Sequence, residues 1–285
     1  MTSHDVVDRV RKALQTRKVG HAGTLDPLAT GVMVVCIGKA TRLSGYLTCQ
    51  SKRYTTRIRL GVETDTLDAD GAVVRTSEDI PTSVDEIERA AQSFIGLIEQ
   101  IPPMFSARKV NGQRLHRLAR SGRTVHREPR QVEIHDLRVL GLERPFVDLD
   151  VKCSKGTYIR SLASGLGDVI GCGGSVEALR RTESGSISED ACIPLDEVTE
   201  ATATQFSIDP NEALADIPGV VLTGDQAERF CHGNEVDLAR EVPTPCRVNG
   251  EHGAFWGMGK SEEEGWLRPV CVLRDLERAR ETHPA

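Results

Sequence analysis

No apolar run in this sequence approaches the roughly 20 residues that a membrane-spanning helix needs, and the opening stretch MTSHDVVDRVRK lacks the apolar core of a secretory signal. A cytoplasmic protein with no membrane partner is therefore expected. Eight cysteines, at 36, 49, 153, 172, 192, 231, 246 and 271, contain no CxxC pair and no CxxH. That spacing argues against a zinc site and against a dense disulfide framework, and leaves most of them as small buried apolar residues. There is no internal repeat and no low-complexity segment, which excludes solenoids and disordered tracts. Nor is there the net positive charge usual in a nucleic-acid binder: the formal charge is −6.

What is present is a globular balance of 39% hydrophobic and 27% charged residues over 285 positions. That is enough for one large domain and a smaller appendage. The charge is unevenly spread. Residues 105–130 carry eight basic residues (Arg108, Lys109, Arg114, Arg117, Arg120, Arg123, Arg127, Arg130) against Glu128, a local +7, whereas residues 182–216 carry nine acids and no Lys or Arg. A local basic stripe can supply phosphate contacts even on an acidic protein; equally, it can be a solvated helix face.

Hydrophobic spacing predicts a first helix over Asp5–Thr16, capped by Ser3 or Asp5, and a buried strand over Val32–Ile37. It further predicts an alternating strand over Arg53–Leu60 with Gly71–Arg75 as its partner, a helix over Val84–Ile95 and an Arg-rich helix over 113–121. A hairpin of Val132–Leu142 with Phe146–Cys153 follows, then a helix over Tyr158–Ile170 broken by Gly171–Gly174, an acidic helical linker, and short strands after residue 216 that suggest a small barrel-like β unit.

Between the first helix and the first strand lies Gly20-His21-Ala22-Gly23-Thr24-Leu25-Asp26-Pro27. Proline confines the residue before it to extended backbone, so the Asp26 carboxylate is held in a defined direction, fit for a nucleophile or a base. On Asp-Pro alone, an ordinary turn accounts for the pattern better. The whole string GHAGTLDPLATGVMVVCIGKATR, Gly20 to Arg42, closely resembles the nucleophile motif of TruB-type pseudouridine synthases, in which the aspartate before proline is catalytic. Other stretches resemble that family in the same order: Lys52-Arg53-Tyr54; IPPMFSARKVNGQRLHRLARSG from Ile101 to Gly122; CSKGTYIR from Cys153 to Arg160; and Leu179-Arg180-Arg181. The likeness is strong over residues 3 to about 183.

The resemblance implies an α/β fold with a mixed, largely antiparallel sheet over 1–183, with 101–130 contacting RNA. It also implies an acidic helical linker over 184–216 and a small β-rich, PUA-like RNA-binding domain over 217–285, where the likeness is looser. The implied activity is conversion of the T-loop uridine at tRNA position 55 to pseudouridine, by flipping the base and isomerising it with the aspartate. The rival from another class is an RNA-binding or tRNA-folding protein without catalysis.

The implied residues are Asp26 and Arg160 for catalysis, with His21, Tyr54, Tyr158, Leu179 and Lys109 for substrate binding. Their chemistry fits. A base held outside its stack needs an aromatic face, and the chain has only three tyrosines. Arg160 offers a permanent cation to Asp26, on the same side as Tyr158 if that stretch is extended. Leu179 offers an apolar wall, and His21 could fill the space that the base leaves. No metal or redox cofactor is implied, because one glycosidic bond is exchanged for another within a nucleotide. The partner is the tRNA T-arm, no protein partner is implied, and a monomer is expected. Family members begin with a strand bearing a Lys-Pro pair before the segment that Met1–Asp5 resembles; that strand is not in this sequence, and an unpaired sheet edge is expected in its place.

Overall fold

The computed structural model describes residues 1–106, 108–110, 112–261 and 265–273, with only the main chain described for Lys109, Val110, Arg114, His116 and Arg120. In chain order, α1 (Ser3–Ala13) leads through β1 (Val19–His21), β2 (Thr30–Gly31) and β3 (Val35–Ile37) to α2 (Ser44–Cys49). Then come β4 (Lys52–Leu60), β5 (Val62–Thr64), β6 (Val73–Thr76), α3 (Val84–Gln92), β7 (Gly96–Gln100), β8 (Lys109–Val110), β9 (Gln113–Arg114) and α4 (Leu115–Arg120). The long strands β10 (Arg130–Glu143) and β11 (Phe146–Cys153) precede α5 (Ile159–Ile170) and β12 (Gly174–Ser184). The remainder is β13 (Ile187–Ser188), α6 (Glu200–Gln205), α7 (Pro210–Ala213), β14 (Gly219–Leu222), α8 (Gly224–Cys231), β15 (Val236–Asp237), β16 (Cys246–Gly250), β17 (Phe255–Lys260) and β18 (Trp266–Val272).

The contacts divide the chain into two compact units, one of Met1, Leu25–Val32 and Cys49–Ser184, the other of Thr2–Thr24, Met33–Thr48 and Gly185–Ala285. In the first unit the strands run in the order β12-β4-β11-β10-β7, antiparallel throughout, with β2 added parallel to β12. Alternation along β4 explains its two faces. Ile58 and Leu60 point into a core with Val147, Leu149 and Val151 of β11, Val176 and Leu179 of β12, and Ile159, Leu162 and Leu166 of α5. The alternate positions Arg53 and Arg57 point the other way and form bidentate pairs with Asp150 and Asp148 across the strand pair. Helix α5 ends where Gly171 takes a left-handed φ of 96°.

In the second unit α1 lays Val7 and Val10 against Val19 of β1, which pairs antiparallel with β3. The later strands form a five-stranded mixed sheet, β14-β16-β17-β18-β15, whose core is centred on Phe230, Val248 and Leu267. Among the described residues no helix is long and apolar enough to cross a membrane.

Several local expectations give way to the structure. The cap of α1 is Thr2, which exchanges hydrogen bonds with Asp5 in a capping box. Those bonds hold the Asp5 carboxyl below its ordinary range. Only Val35–Ile37 of the run 32–37 is strand, because Val32 is drawn to β12 instead, its N–H donating to Arg181 O at 2.7 Å. The partner of residues 73–76 is β5, not β4, since β4 is flanked on both sides by β11 and β12. The residues after Gly174 extend one long strand, and α8 has no counterpart in the sequence reading. The 132–142/146–153 hairpin and the Tyr158–Ile170 helix are present at nearly the expected places, and short strands follow residue 216 as expected.

Candidate active site

The loop that leaves Leu25 makes a turn at Asp26-Pro27, closed by a hydrogen bond from Ala29 N–H to Asp26 O at 2.9 Å. Four residues later Gly31 enters β2 with φ 92°, where a Cβ would lie 2.1 Å from Arg181 O. Only glycine permits that approach. The carboxylate of Asp26 is thus carried on a short segment anchored at both ends.

Its partner is Arg160, in the first turn of α5. Nε donates to Asp26 Oδ2 at 2.9 Å and Nη2 to Oδ1 at 2.8 Å, a bidentate fork. The remaining N–H groups donate to Thr66 O at 3.0 Å and Phe105 O at 2.8 Å, and Nη1 lies 3.3 Å from Asp68 Oδ2. The guanidinium is 3% exposed, Asp68 7% and Asp26 30%, so the one carboxylate of this trio that opens to solvent is the one beside Pro27. Four hydrogen bonds and two carboxylates thus surround the buried guanidinium, which is the condition under which such a cation can be buried at all.

Tyr158 is the N-cap residue of α5, and Gln100 grips it on both backbone groups, accepting from its N–H at 2.9 Å and donating to its carbonyl at 3.3 Å. Arg160 already lies in the helix, so the expected extended alternation with Tyr158 does not occur; the helix start, rather than a strand, aims it.

Tyr54, Thr56 and Ile58 share the inner face of β4. Leu179, directly opposite Thr56, is buried on the same face, and Arg181 stands opposite Tyr54. Tyr54 is half-buried; burial pushes its phenol up, and the charge of the neighbouring Arg181 guanidinium pulls the other way. His21 closes β1 opposite Val35 in the second unit. The Lys109 side chain lies outside the described residues.

Three participants are not singled out by the sequence reading. Asp68 sits in the Asp- and Thr-rich loop read as a plain turn; the loop docks on β12 through Ala69 N–H to Val176 O and Val176 N–H to Leu67 O, which turns Asp68 inward. Three aspartates within six residues were visible there, but not which of them is turned in. Gln100 carried no signal of its own, and Arg181 lay within the family-like string Leu179-Arg180-Arg181 without a role assigned to it.

Lys52 is a further buried cation on the inner face of β4, its Nζ donating to Gln50 O at 2.7 Å. Burial, and then the nearby Arg181 charge, push its pKa down from 10.5 to about 8. Between those values the unfolded chain holds a proton that the folded one has released, so this group's penalty is full at neutral pH and fades as pH rises towards 10.5. Lys52→Met is therefore expected to raise stability at pH 7 by up to about 3 kcal/mol. The gap between variant and wild-type melting temperatures should narrow steadily from pH 8 to 10, and a constant gap would refute the assignment.

The same fold is found in solved structures. A structure of an H/ACA RNP bound to a substrate RNA containing 2'-deoxyuridine matches with a TM-score of 0.73 at 23% identity, covering 100% of this chain and 84% of that one. A Cbf5-Nop10-Gar1 complex matches at 0.74 and 24%, covering 96% and 81%. These likenesses show a shared fold. Residues 11–159 match the model of the TruB family pseudouridylate synthase N-terminal domain, 160–217 that of the tRNA pseudouridylate synthase B C-terminal domain, and 218–273 that of the pseudouridine synthase II TruB C-terminal region. Curated relatives named tRNA pseudouridine synthase B include one from Pseudomonas aeruginosa, 40% identical over 96% of this chain and 92% of its own length. Another, from Clostridium novyi, is 38% identical over 93% of each. The chain belongs to the TruB family of pseudouridylate synthases, and is an isomerase.

Proposed function

We propose that this protein converts the T-loop uridine at position 55 of tRNA to pseudouridine, with Asp26 as the group that acts on the flipped nucleotide. The observation that carries the reading is the buried Arg160 fork, which fixes a carboxylate that is itself partly open to solvent. The relatives' shared name supplies the tRNA substrate. The reaction breaks the N1–C1′ bond and forms a C5–C1′ bond, while one proton leaves C5 and one is gained at N1. It balances within the nucleotide.

In this reading Tyr54 stacks on the extruded base, Leu179 walls the pocket, Tyr158 borders it at the start of α5, and His21 fills the space left in the RNA. Extrusion costs a few kcal/mol, which stacking and phosphate contacts must offset. The stripe 101–130, with Lys109, supplies the phosphate contacts, and the β-rich C-terminal sheet acts as a PUA-like RNA-binding domain. The proposed division of labour is 1–183 for catalysis, 184–216 for linking and 217–285 for binding.

The test is to map pseudouridine in T-arm RNA after incubation with the purified chain. Modification confined to position 55 is expected; tight binding with unchanged uridine would return the protein to the non-catalytic RNA-binding class. A second expected outcome concerns the stripe. Arg117 and Arg123 are exposed, and reversing both to Glu should weaken T-arm binding while flattening its dependence on salt, because fewer counterions are released. An unchanged salt slope would remove the stripe from the interface.

A further inference from the structure

We propose that Arg181 is a positioning residue that ties the ring of Tyr54 to the segment carrying Asp26, so that one buried side chain sets both the plane on which the base stacks and the place of the carboxylate. The proposal rests on the reading of Tyr54 and Asp26 given above.

Arg181 is 1% exposed and among the largest fully buried side chains of the protein. It lies on the face of β12 that also carries Leu179, where an apolar side chain would pack without the cost of desolvating a guanidinium. That cost is raised by Lys52, a second buried cation close enough to feel its charge. The value of arginine here therefore lies in where its donors point.

They point in two directions. Nε donates to Val32 O at 2.7 Å, and Val32 N–H returns a bond to Arg181 O at 2.7 Å. Val32 is the last residue of the segment that begins at Leu25, and Gly31 before it is pressed against the Arg181 main chain. The guanidinium also acts on the Tyr54 phenol, which it faces across the strand pair, Arg181 standing directly opposite Tyr54. A phenol ring held only by packing can tilt about its side-chain torsions. One set against a rigid, buried guanidinium directly opposite has its tilt confined. Because the same fork grips Val32, the ring and the Asp26 segment move together or not at all.

A double-mutant cycle on the full chain tests this, with single-turnover pseudouridine formation and T-arm RNA affinity as readouts. Tyr54→Phe removes the hydroxyl and keeps the stacking face; Arg181→Lys keeps the charge and loses the two-directional fork. Each is expected to slow the chemical step by about 30- to 100-fold, the effect of misplacing reacting groups by about an ångström, while RNA affinity changes by less than about threefold. The double variant is expected to be no slower than the slower single one, since both break the same link.

Multiplying losses in the double variant, or a wild-type rate in either single variant, would overturn the proposal. Should Arg181→Lys fail to fold, Tyr54→Phe decides alone: a slower chemical step at unchanged affinity upholds the link, and a wild-type rate removes it. Normal wild-type turnover with an additive cycle would overturn only the coupling, whereas absence of pseudouridine from the wild type would overturn the proposed function along with it.

Discussion

Asp26→Asn is expected to abolish pseudouridine formation at every pH while leaving T-arm RNA affinity within about threefold of wild type. The amide has the size and shape of the carboxylate and can still accept a hydrogen bond from Arg160, but it has lost the charge and nearly all nucleophilicity. Loss of a group that enters the chemistry directly costs on the order of 10⁴-fold or more in rate. Binding survives because phosphate and stacking contacts lie elsewhere. The fold should survive too: Asp68 remains as a carboxylate partner for Arg160, so the penalty for half-breaking the pair is held to about 1–2 kcal/mol, below the 3–5 kcal/mol usual for a buried ion pair. Single-turnover assays beside a binding titration separate the outcomes. Substantial residual turnover by a folded Asp26→Asn protein would end the nucleophile assignment.

Arg160→Met should have the largest effect on stability. It removes the cation shared by Asp26 and Asp68 and leaves the Thr66 and Phe105 carbonyls without their donor. A loss of about 3–5 kcal/mol is expected, the range for stranding buried charge, together with loss of activity. Arg160→Lys should recover part of the stability and little of the rate, because an ammonium cannot present the planar fork to a carboxylate and two carbonyls at once. Urea unfolding of the three proteins checks the order. Equal stability of the Met and Lys variants would show that charge contributes nothing at this position.

The parts of this molecule that were legible in the sequence are those governed by local rules. Alternation disclosed β4 and β11, turn residues disclosed the hairpin between β10 and β11, and glycines marked the end of α5. Asp26 stood out through a twelve-residue string, not through any property of Asp-Pro. What was hidden depends on contacts between distant segments. Val32 looked like the start of a strand until β12 captured it, and β6 could not be assigned to β5 because hairpin partners compete and β4 was already occupied on both edges. Asp68 is chemically like Asp65 and Asp70; only the docking of its loop on Val176 distinguishes it. The partnership of Arg160 with Asp26 came with the family likeness and the charge, but its geometry did not, since the arginine proved to be aimed by a helix start.

The charged pairs on the outer face of β4 bear on how the gene can vary. Arg57 pairs with Asp148 directly opposite and Arg53 with Asp150 on the diagonal, while Tyr54, Thr56 and Ile58 face the core, so a single-residue insertion or deletion within β4 would place arginines in the interior and Tyr54 in solvent. Length is thus constrained there more tightly than composition. A library of one-residue deletions should be sharply depleted across 52–60 and tolerant in the exposed β6 region.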